Sequence, residues 1–283
     1  LMKIYKNLIM SLSLKKIYSF FFLDDYKKSG YFNYLKNLYY QFLLSKFPKL
    51  QRAQFEENLT YLLNFEEDDL SARYFQTFEP DYTDDLNKYY KLNEKQIFLR
   101  FLKYSINTKL IKNKYSDVYD FAINRIKEPL EIIEIGGGIP HGLIFNIKKR
   151  GKDFCKKLNY IEADMLHAEF IDWYCKNNLI QFDKKIFLAS KTPTINNINF
   201  NFVFAKDIFE HLDNPTQLID ELIANTNDTK TLLCLDLEHK GAITTQHINP
   251  NLPVLKQKLI DNNFTVIKKF QEIHVWQKNK IKF

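Results

Sequence analysis

The chain has 283 residues, of which 45% are hydrophobic and 27% charged, a composition that excludes a disordered protein and indicates a globular one. Its formal charge of +7 comes mostly from scattered lysines, which favours a solvated surface over a nucleic-acid-binding face. Three widely spaced cysteines, Cys155, Cys175 and Cys234, form neither a metal-binding pair nor a disulfide framework. We therefore expect a cytoplasmic protein with reduced thiols.

Residues 1–115 predict an all-helical subdomain. Apolar residues recur with the helical period in YFNYLKNLYYQFLLSKF (31–47) and in KQIFLRFLKYSINTKL (95–110). The opening stretch is basic and apolar, but Lys15 and Lys16 interrupt it, so it predicts an amphipathic helix and no membrane span. We expect this half to be a cap that shapes a substrate pocket, or the surface of a homodimer.

Residues 116–283 predict an α/β domain. Short apolar segments alternate with helical ones; the segments predicted as strands are LEIIEIG, NYIEAD, KKIFLAS, FNFVFAKD, TKTLLCLDLEH, FTVIKKFQEI and HVWQKN. This alternation is typical of a mostly parallel sheet that is buried on both faces. Ligands of such sheets bind at the carboxyl ends of the strands.

The first of these strands runs into a glycine-rich loop, EIIEIGGGIPHG (131–142), which holds four of the seven glycines in the chain. A strand, a glycine loop and a helix together offer backbone N–H groups and a helix dipole to a polar or anionic ligand. The nicotinamide fingerprint would require a glycine where His141 stands, and the Gly-Lys-Ser/Thr ending of a P-loop is absent. The loop therefore indicates a ligand other than those two.

Three stretches, taken together, resemble the class I S-adenosylmethionine-dependent methyltransferases. EIGGG is similar to their first motif, YIEAD to the acidic end of their second strand, and KDIFEHLDNPTQLIDEL to the strand-four motif of their small-molecule branch. The resemblance covers residues 116–283. It implies a Rossmann-like methyltransferase sheet, mostly parallel with an antiparallel last strand.

The resemblance implies S-adenosylmethionine as cofactor and S-adenosylhomocysteine as product. The residues that it assigns to the cofactor are Glu134, Gly136, Gly137, Gly138, His141, Glu162, Asp164, Ser190 and Asp207. Glu162 is favoured over Asp164 for the ribose because it directly follows the apolar pair Tyr-Ile. The family often has a glycine where Pro140 stands, and it often has an acidic residue after strand three. No acidic residue occurs between Asp183 and Asp207, so we expect backbone groups or Ser190 to bind the adenine.

Transfer of a methyl group from a sulfonium needs mainly proximity and alignment, but a hydroxyl acceptor also needs a base. Candidate bases are His239 and His247 in the loop LDLEHKGAITTQHINPNLP (235–253), with Asp207 and His211 expected on the same crevice. His167 and His274 are expected to be structural. A metal site at Asp236 and Glu238 is disfavoured because His239 would point to the other face of the strand.

The acceptor is predicted from resemblance and elimination. Signatures of amino-methylating nucleic-acid enzymes and of pyrimidine-carbon methylation are absent. The strand-four motif resembles bacterial enzymes that act on small metabolites and sugars. We therefore expect O-methylation of a sugar or another polar hydroxyl-bearing metabolite, such as a building block of a capsule polysaccharide. Two alternatives stay open: an RNA methyltransferase whose helical half binds RNA, and a non-catalytic S-adenosylmethionine-binding scaffold.

Overall fold

A computed structural model describes residues 30–64, 115–136, 138–162, 165–186, 191–226, 229–238 and 252–280. Its contacts divide the chain into two compact units, Leu1–Tyr61 and Leu62–Phe283. The boundary expected after residue 115 remains a prediction, and the segments 1–29 and 95–110 lie outside the described residues. Within the described ranges, no helix combines the length and the apolar character needed to cross a membrane.

The described part of the first unit is helical, as predicted. It contains helices α1 (Gly30–Lys46) and α2 (Arg52–Asn64). Their buried side chains recur at helical spacing and are Phe32, Leu35, Tyr39, Phe42 and Leu43 on α1, and Phe55 and Leu59 on α2. The guanidinium of Arg52 lies 4.5 Å from the ring centroid of Tyr40, which adds a cation–π contact between the two helices.

The second unit alternates strands and helices. Its helices are α3 (Tyr115–Ile126), α4 (His141–Arg150), α5 (Met165–Asn177), α6 (Pro215–Asn225) and α7 (Leu252–Asp261), with a short 3₁₀ helix at Phe209–His211. Its strands are β1 (Leu130–Ile135), β2 (Cys155–Glu162), β3 (Gln181–Ile186), β4 (Phe202–Ala205), β5 (Leu232–Asp236), β6 (Phe264–Phe270) and β7 (Ile273–Lys278).

The strands form one sheet in the order β3-β2-β1-β4-β5-β7-β6. Strands β1 to β5 pair in parallel, whereas β7 is antiparallel to both β5 and β6. The order of the first five strands is that of the doubly wound Rossmann fold. The two-residue turn at Gln271 and Glu272 folds β7 back between β5 and β6. The mostly parallel, Rossmann-like sheet with an antiparallel last strand is confirmed.

The core lies on both sides of the central strands. Every residue of β4 and β5 is buried, which explains why both read as continuous apolar runs. The three cysteines are free and buried in this unit. Burial raises the pKa of the Cys155 thiol to about 12 and also raises the pKa of Cys175 and Cys234.

Strand β3 differs from its sequence prediction. The pattern predicts a strand over KKIFLAS (184–190), but β3 begins at Gln181, and residues 187–190 lie outside the described ranges. The reason is its position at the edge of the sheet, where Gln181, Asp183 and Lys184 are exposed. Polar side chains are tolerated there, so hydrophobicity does not mark the start of the strand.

Candidate functional site

The sheet order places a crevice between the ends of β1 and β4. Chain connections run in opposite directions from these two neighbouring strands, and ligands of α/β sheets bind at such a switch point. Gly136 directly follows β1, and Lys206 and Asp207 directly follow β4. The glycine loop and the strand-four motif therefore meet at the same edge.

Gly136 lies against the loop that follows β4. Its φ is +64°, a left-handed conformation that favours glycine. A Cβ added there would lie 2.5 Å from Cδ1 of Ile208, which follows β4. Its N–H donates to the carbonyl of Ile161 at 2.9 Å. Both the backbone conformation and the lack of space thus require glycine at this position.

Glu162, at the end of β2, binds the glycine loop. Its Oε2 accepts the N–H of Gly138 at 2.9 Å, and Tyr160 Oη lies 3.3 Å from the same oxygen. The Tyr160 hydroxyl donates to the Gly138 carbonyl at 2.5 Å. The structure therefore brings Gly136, Gly138 and Glu162 together, whereas Gly137 and Asp164 lie outside the described residues.

Glu134 lies beneath this loop, only 2% exposed. The Tyr119 hydroxyl, from α3, donates to its carboxylate. Burial raises the pKa of Glu134 to about 8; the Tyr119 hydrogen bond opposes the shift and the charge of Glu162 adds to it. The same burial and the neighbouring carboxylate raise the pKa of Tyr119 well above its ordinary value. The carboxyls of Glu134 and Glu162 therefore interact across β1 and β2.

His141 is the first residue of α4 and is buried. It follows Pro140, which stands at the N-cap position without a side-chain cap. The backbone N–H of His141 donates to the carbonyl of Ile139 at 2.8 Å. The structure thus buries the His141 side chain at the start of α4.

The end of β4 carries a buried lysine next to an exposed aspartate. The Lys206 side chain is 8% exposed; its ammonium pairs with Asp207 and lies 3.7 Å from Glu272 Oε1. Asp207 has a φ of +48°, which aspartate tolerates better than most residues. His211 is half-buried in the 3₁₀ helix that follows.

The end of β5 carries a second buried carboxyl. Asp236 Oδ1 accepts the backbone N–H of Glu238 at 3.1 Å. Burial raises the pKa of Asp236 to about 7, and the charges of Asp207 and Glu210 add to the shift. Glu238 Oε1 in turn lies 2.8 Å from Lys256 Nζ and 3.2 Å from Nε2 of the buried His274. Asp236 therefore lies on the crevice edge with Asp207.

The remaining predicted site residues, Ser190, His239 and His247, lie outside the described residues and stay predictions. The sequence did not single out Tyr119, Tyr160 or Lys206. Lys206 had one available signal, since it directly precedes Asp207 at a strand end. The two tyrosines carry no sequence signal that separates them from core tyrosines. In the part of the chain that the structure describes, no three His, Cys, Asp or Glu side chains are grouped to hold a metal.

No protein-family model matches this sequence, and no curated protein matches it either. Among solved structures, the chain is similar to a SAM-dependent methyltransferase from Aquifex aeolicus, with 16% identity, a TM-score of 0.45, and coverage of 63% of this chain and 96% of the other. A methyltransferase from Pyrococcus furiosus is 16% identical with a TM-score of 0.38, and the match covers 57% of this chain and 80% of the other. A putative methylase from Haemophilus influenzae is 18% identical with a TM-score of 0.37, and the match covers 59% of this chain and 99% of the other.

Gly136→Ala should destabilise the protein by about 2–5 kcal/mol, because a left-handed alanine and an overpacked Ile208 both cost free energy. Gly138→Ala is the matched control, since its φ is +62° but nothing lies within 4 Å of an added Cβ. It should cost only about 1–2 kcal/mol. The measurement is the free energy of unfolding by denaturant. Ile208→Ala should recover part of the loss in Gly136→Ala; equal costs for the two glycine variants would contradict the contact.

Glu134 should make the protein less stable as the pH rises. Its pKa is about 8 in the folded chain against an ordinary value of 4.5, so the folded state holds a proton that the unfolded state releases. The contribution is complete below about pH 4.5 and is lost by about pH 8. Glu134→Gln should remove this fall in the free energy of unfolding, and Glu131→Gln on the same strand is the control. A Glu134→Gln slope equal to that of the wild type would exclude Glu134 as the titrating group.

Proposed function

We propose that this chain binds S-adenosylmethionine and transfers its methyl group to a hydroxyl of a sugar or another polar metabolite. The observation that carries the proposal is the contact between the glycine loop and Glu162 at the switch point of the sheet. Gly138 donates to that carboxylate, and Gly136 is packed against the loop after β4. The sequence motifs that resemble methyltransferases are therefore neighbours in space.

The residues of this edge fit such a cofactor. A carboxylate at the end of β2 can accept hydrogen bonds from both hydroxyls of a ribose, and Glu162 has that position. Gly136 keeps the backbone free of a side chain where the loops after β1 and β4 approach each other. The carboxyl of Glu162 lies beside this point, where it can also interact with a ligand that carries positive charge.

When bound, the cofactor would supply a methyl group already activated on a sulfonium. The protein then has to align the acceptor and take up its proton. Among the described residues, Asp236 suits the second task because its pKa of about 7 lets it accept a proton near neutral pH. His239 and His247 remain the candidates that the sequence proposes for the same role.

The acceptor class rests on two supports. The strand-four segment resembles that of bacterial enzymes for small metabolites and sugars. The ends of β4 and β5 add Lys206, Asp207, Glu210 and Asp236, side chains that can hydrogen-bond a polyhydroxylated molecule. We place a capsule-polysaccharide precursor first in the acceptor screen.

Titration calorimetry should detect binding of S-adenosylmethionine and S-adenosylhomocysteine, with NAD as the negative control. Glu162→Ala should weaken both by about tenfold to a hundredfold, because it removes hydrogen bonds to a charged group. Gly136→Asp should abolish binding, since its side chain would overlap Ile208. Glu128→Ala, an exposed glutamate that precedes β1, should bind like the wild type. A wild type that binds neither ligand sinks the proposal.

Asp236→Asn should lower kcat with a hydroxyl acceptor and change its pH dependence. In the wild type the rate should rise as the pH passes about 7, where Asp236 loses its proton. The asparagine keeps an oxygen for the Glu238 N–H but cannot accept the proton, so this inflection should vanish. Asp220→Asn, at an exposed position of α6, is the control for the loss of a carboxylate and should leave the pH profile unchanged. An unchanged pH profile would assign the proton to another residue.

A further inference from the structure

The Tyr160 hydroxyl joins the two parts of the candidate cofactor site. It donates to the Gly138 carbonyl at 2.5 Å and lies 3.3 Å from Glu162 Oε2. Gly138 closes the triangle, because its own N–H donates to that same oxygen at 2.9 Å. Both polar backbone groups of Gly138 are therefore directed at two side chains of β2.

Packing fixes where this hydroxyl lies. Tyr160 is fully buried, and its ring centroid lies 6.4 Å from that of Phe182 on β3. Tyr160 and Glu162 are two residues apart on one strand, so their side chains project from the same face. The ring cannot rotate away without disturbing the core. Its hydroxyl therefore has a fixed position beside the glycine loop and the Glu162 carboxyl.

The Tyr160 hydroxyl holds the glycine residue that contacts Glu162. Glu134 is paired in register with Tyr160, so the two side chains project from the same face of the sheet as Glu162. The N–H of Gly138 donates to Glu162 Oε2, and the Tyr160 hydroxyl fixes that same Gly138 residue by donating to its carbonyl. Without the hydroxyl, Gly138 would lose one of its two hydrogen bonds to β2 side chains, and the N–H that it offers to Glu162 would be held less firmly.

We propose that Tyr160 is a positioning residue for the cofactor ribose, which acts through Glu162 and Gly138 without touching the ligand. The inference rests on the proposed function, since it assigns Glu162 to the ribose. It goes beyond that function by tying the orientation of the glycine loop to the recognition of the sugar. A rigid carboxylate discriminates better between one and two hydroxyls than a mobile one does.

Tyr160→Phe keeps the buried ring and removes only the hydroxyl. By calorimetry, its affinity for S-adenosylhomocysteine should fall by about three- to tenfold. Its affinity for the 2′-deoxyribose analogue should fall by less than about twofold, because that ligand depends less on Glu162. The variant thus loses part of the discrimination between the two sugars. In an assay with an acceptor, KM for S-adenosylmethionine should rise while kcat stays near the wild-type value.

Tyr174→Phe is the matched control. Tyr174 is also fully buried, but it lies in the last turn of α5, which leads to the amino end of β3 and so to the opposite edge of the sheet. It should retain the wild-type preference between the two ligands. In a Glu162→Gln background, Tyr160→Phe should have a smaller effect than in the wild type, because the two side chains act together.

Three outcomes separate the possibilities. If the wild type binds neither ligand, the proposed function fails and the role of Tyr160 falls with it. If the wild type binds and Tyr160→Phe weakens both ligands equally, the hydroxyl serves general stability and the inference is overturned. If Tyr160→Phe binds both ligands like the wild type, the inference is overturned while the proposed function stands.

Discussion

The site depends on the contact between the backbone of Gly136 and the side chain of Ile208. It joins the loops that follow β1 and β4, the two strands from which the sheet is built outward in both directions. Because Gly136 has no Cβ, the chain can adopt a left-handed conformation there without a clash with Ile208. That path brings Gly138 to Glu162. A larger residue at Gly136 would displace the loop from the strand ends that hold the polar side chains.

The second constraint is the group of buried carboxyls at the carboxyl ends of the parallel strands. Glu134, Glu162 and Asp236 are buried, and Asp207 shares its lysine with Glu272. Burial raises the pKa of Glu134 to about 8 and that of Asp236 to about 7, so protonation removes much of their charge near neutral pH. A ligand with positive charge would favour their ionised forms, and S-adenosylmethionine has both a sulfonium and an ammonium. These buried carboxyls and the proposed cofactor are therefore compatible.

The sequence anticipates the parts of the fold that are buried on both faces. Apolar runs mark β1, β4 and β5 because these strands are buried on both faces, with Glu134 and Asp236 as buried acidic exceptions near their carboxyl ends. The glycines mark the turn because the backbone requires them. The sequence places the start of β3 at Lys184, whereas the strand begins at Gln181, because an edge strand can expose polar side chains. It predicts Glu162 as a site residue through the family motif and its position after an apolar pair, and the structure places that residue against the glycine loop. It gives no sign of the Tyr160 contact, because a tyrosine in a strand looks like a core residue until its hydroxyl is located. The left-handed backbone of Asp207 depends on tertiary contacts and has no local signal.

The burial of all three cysteines has a practical consequence for studying motion in this molecule. The thiolate is the nucleophile that attacks a thiol-reactive dye, and a raised pKa inside the core leaves almost no thiolate to react. The natural chain should therefore stay unlabelled under native conditions. A single cysteine introduced at Leu179, which is 79% exposed in the turn after α5, would carry the dye alone. Fluorescence from such a chain could report structural changes on ligand addition without first removing any natural thiol.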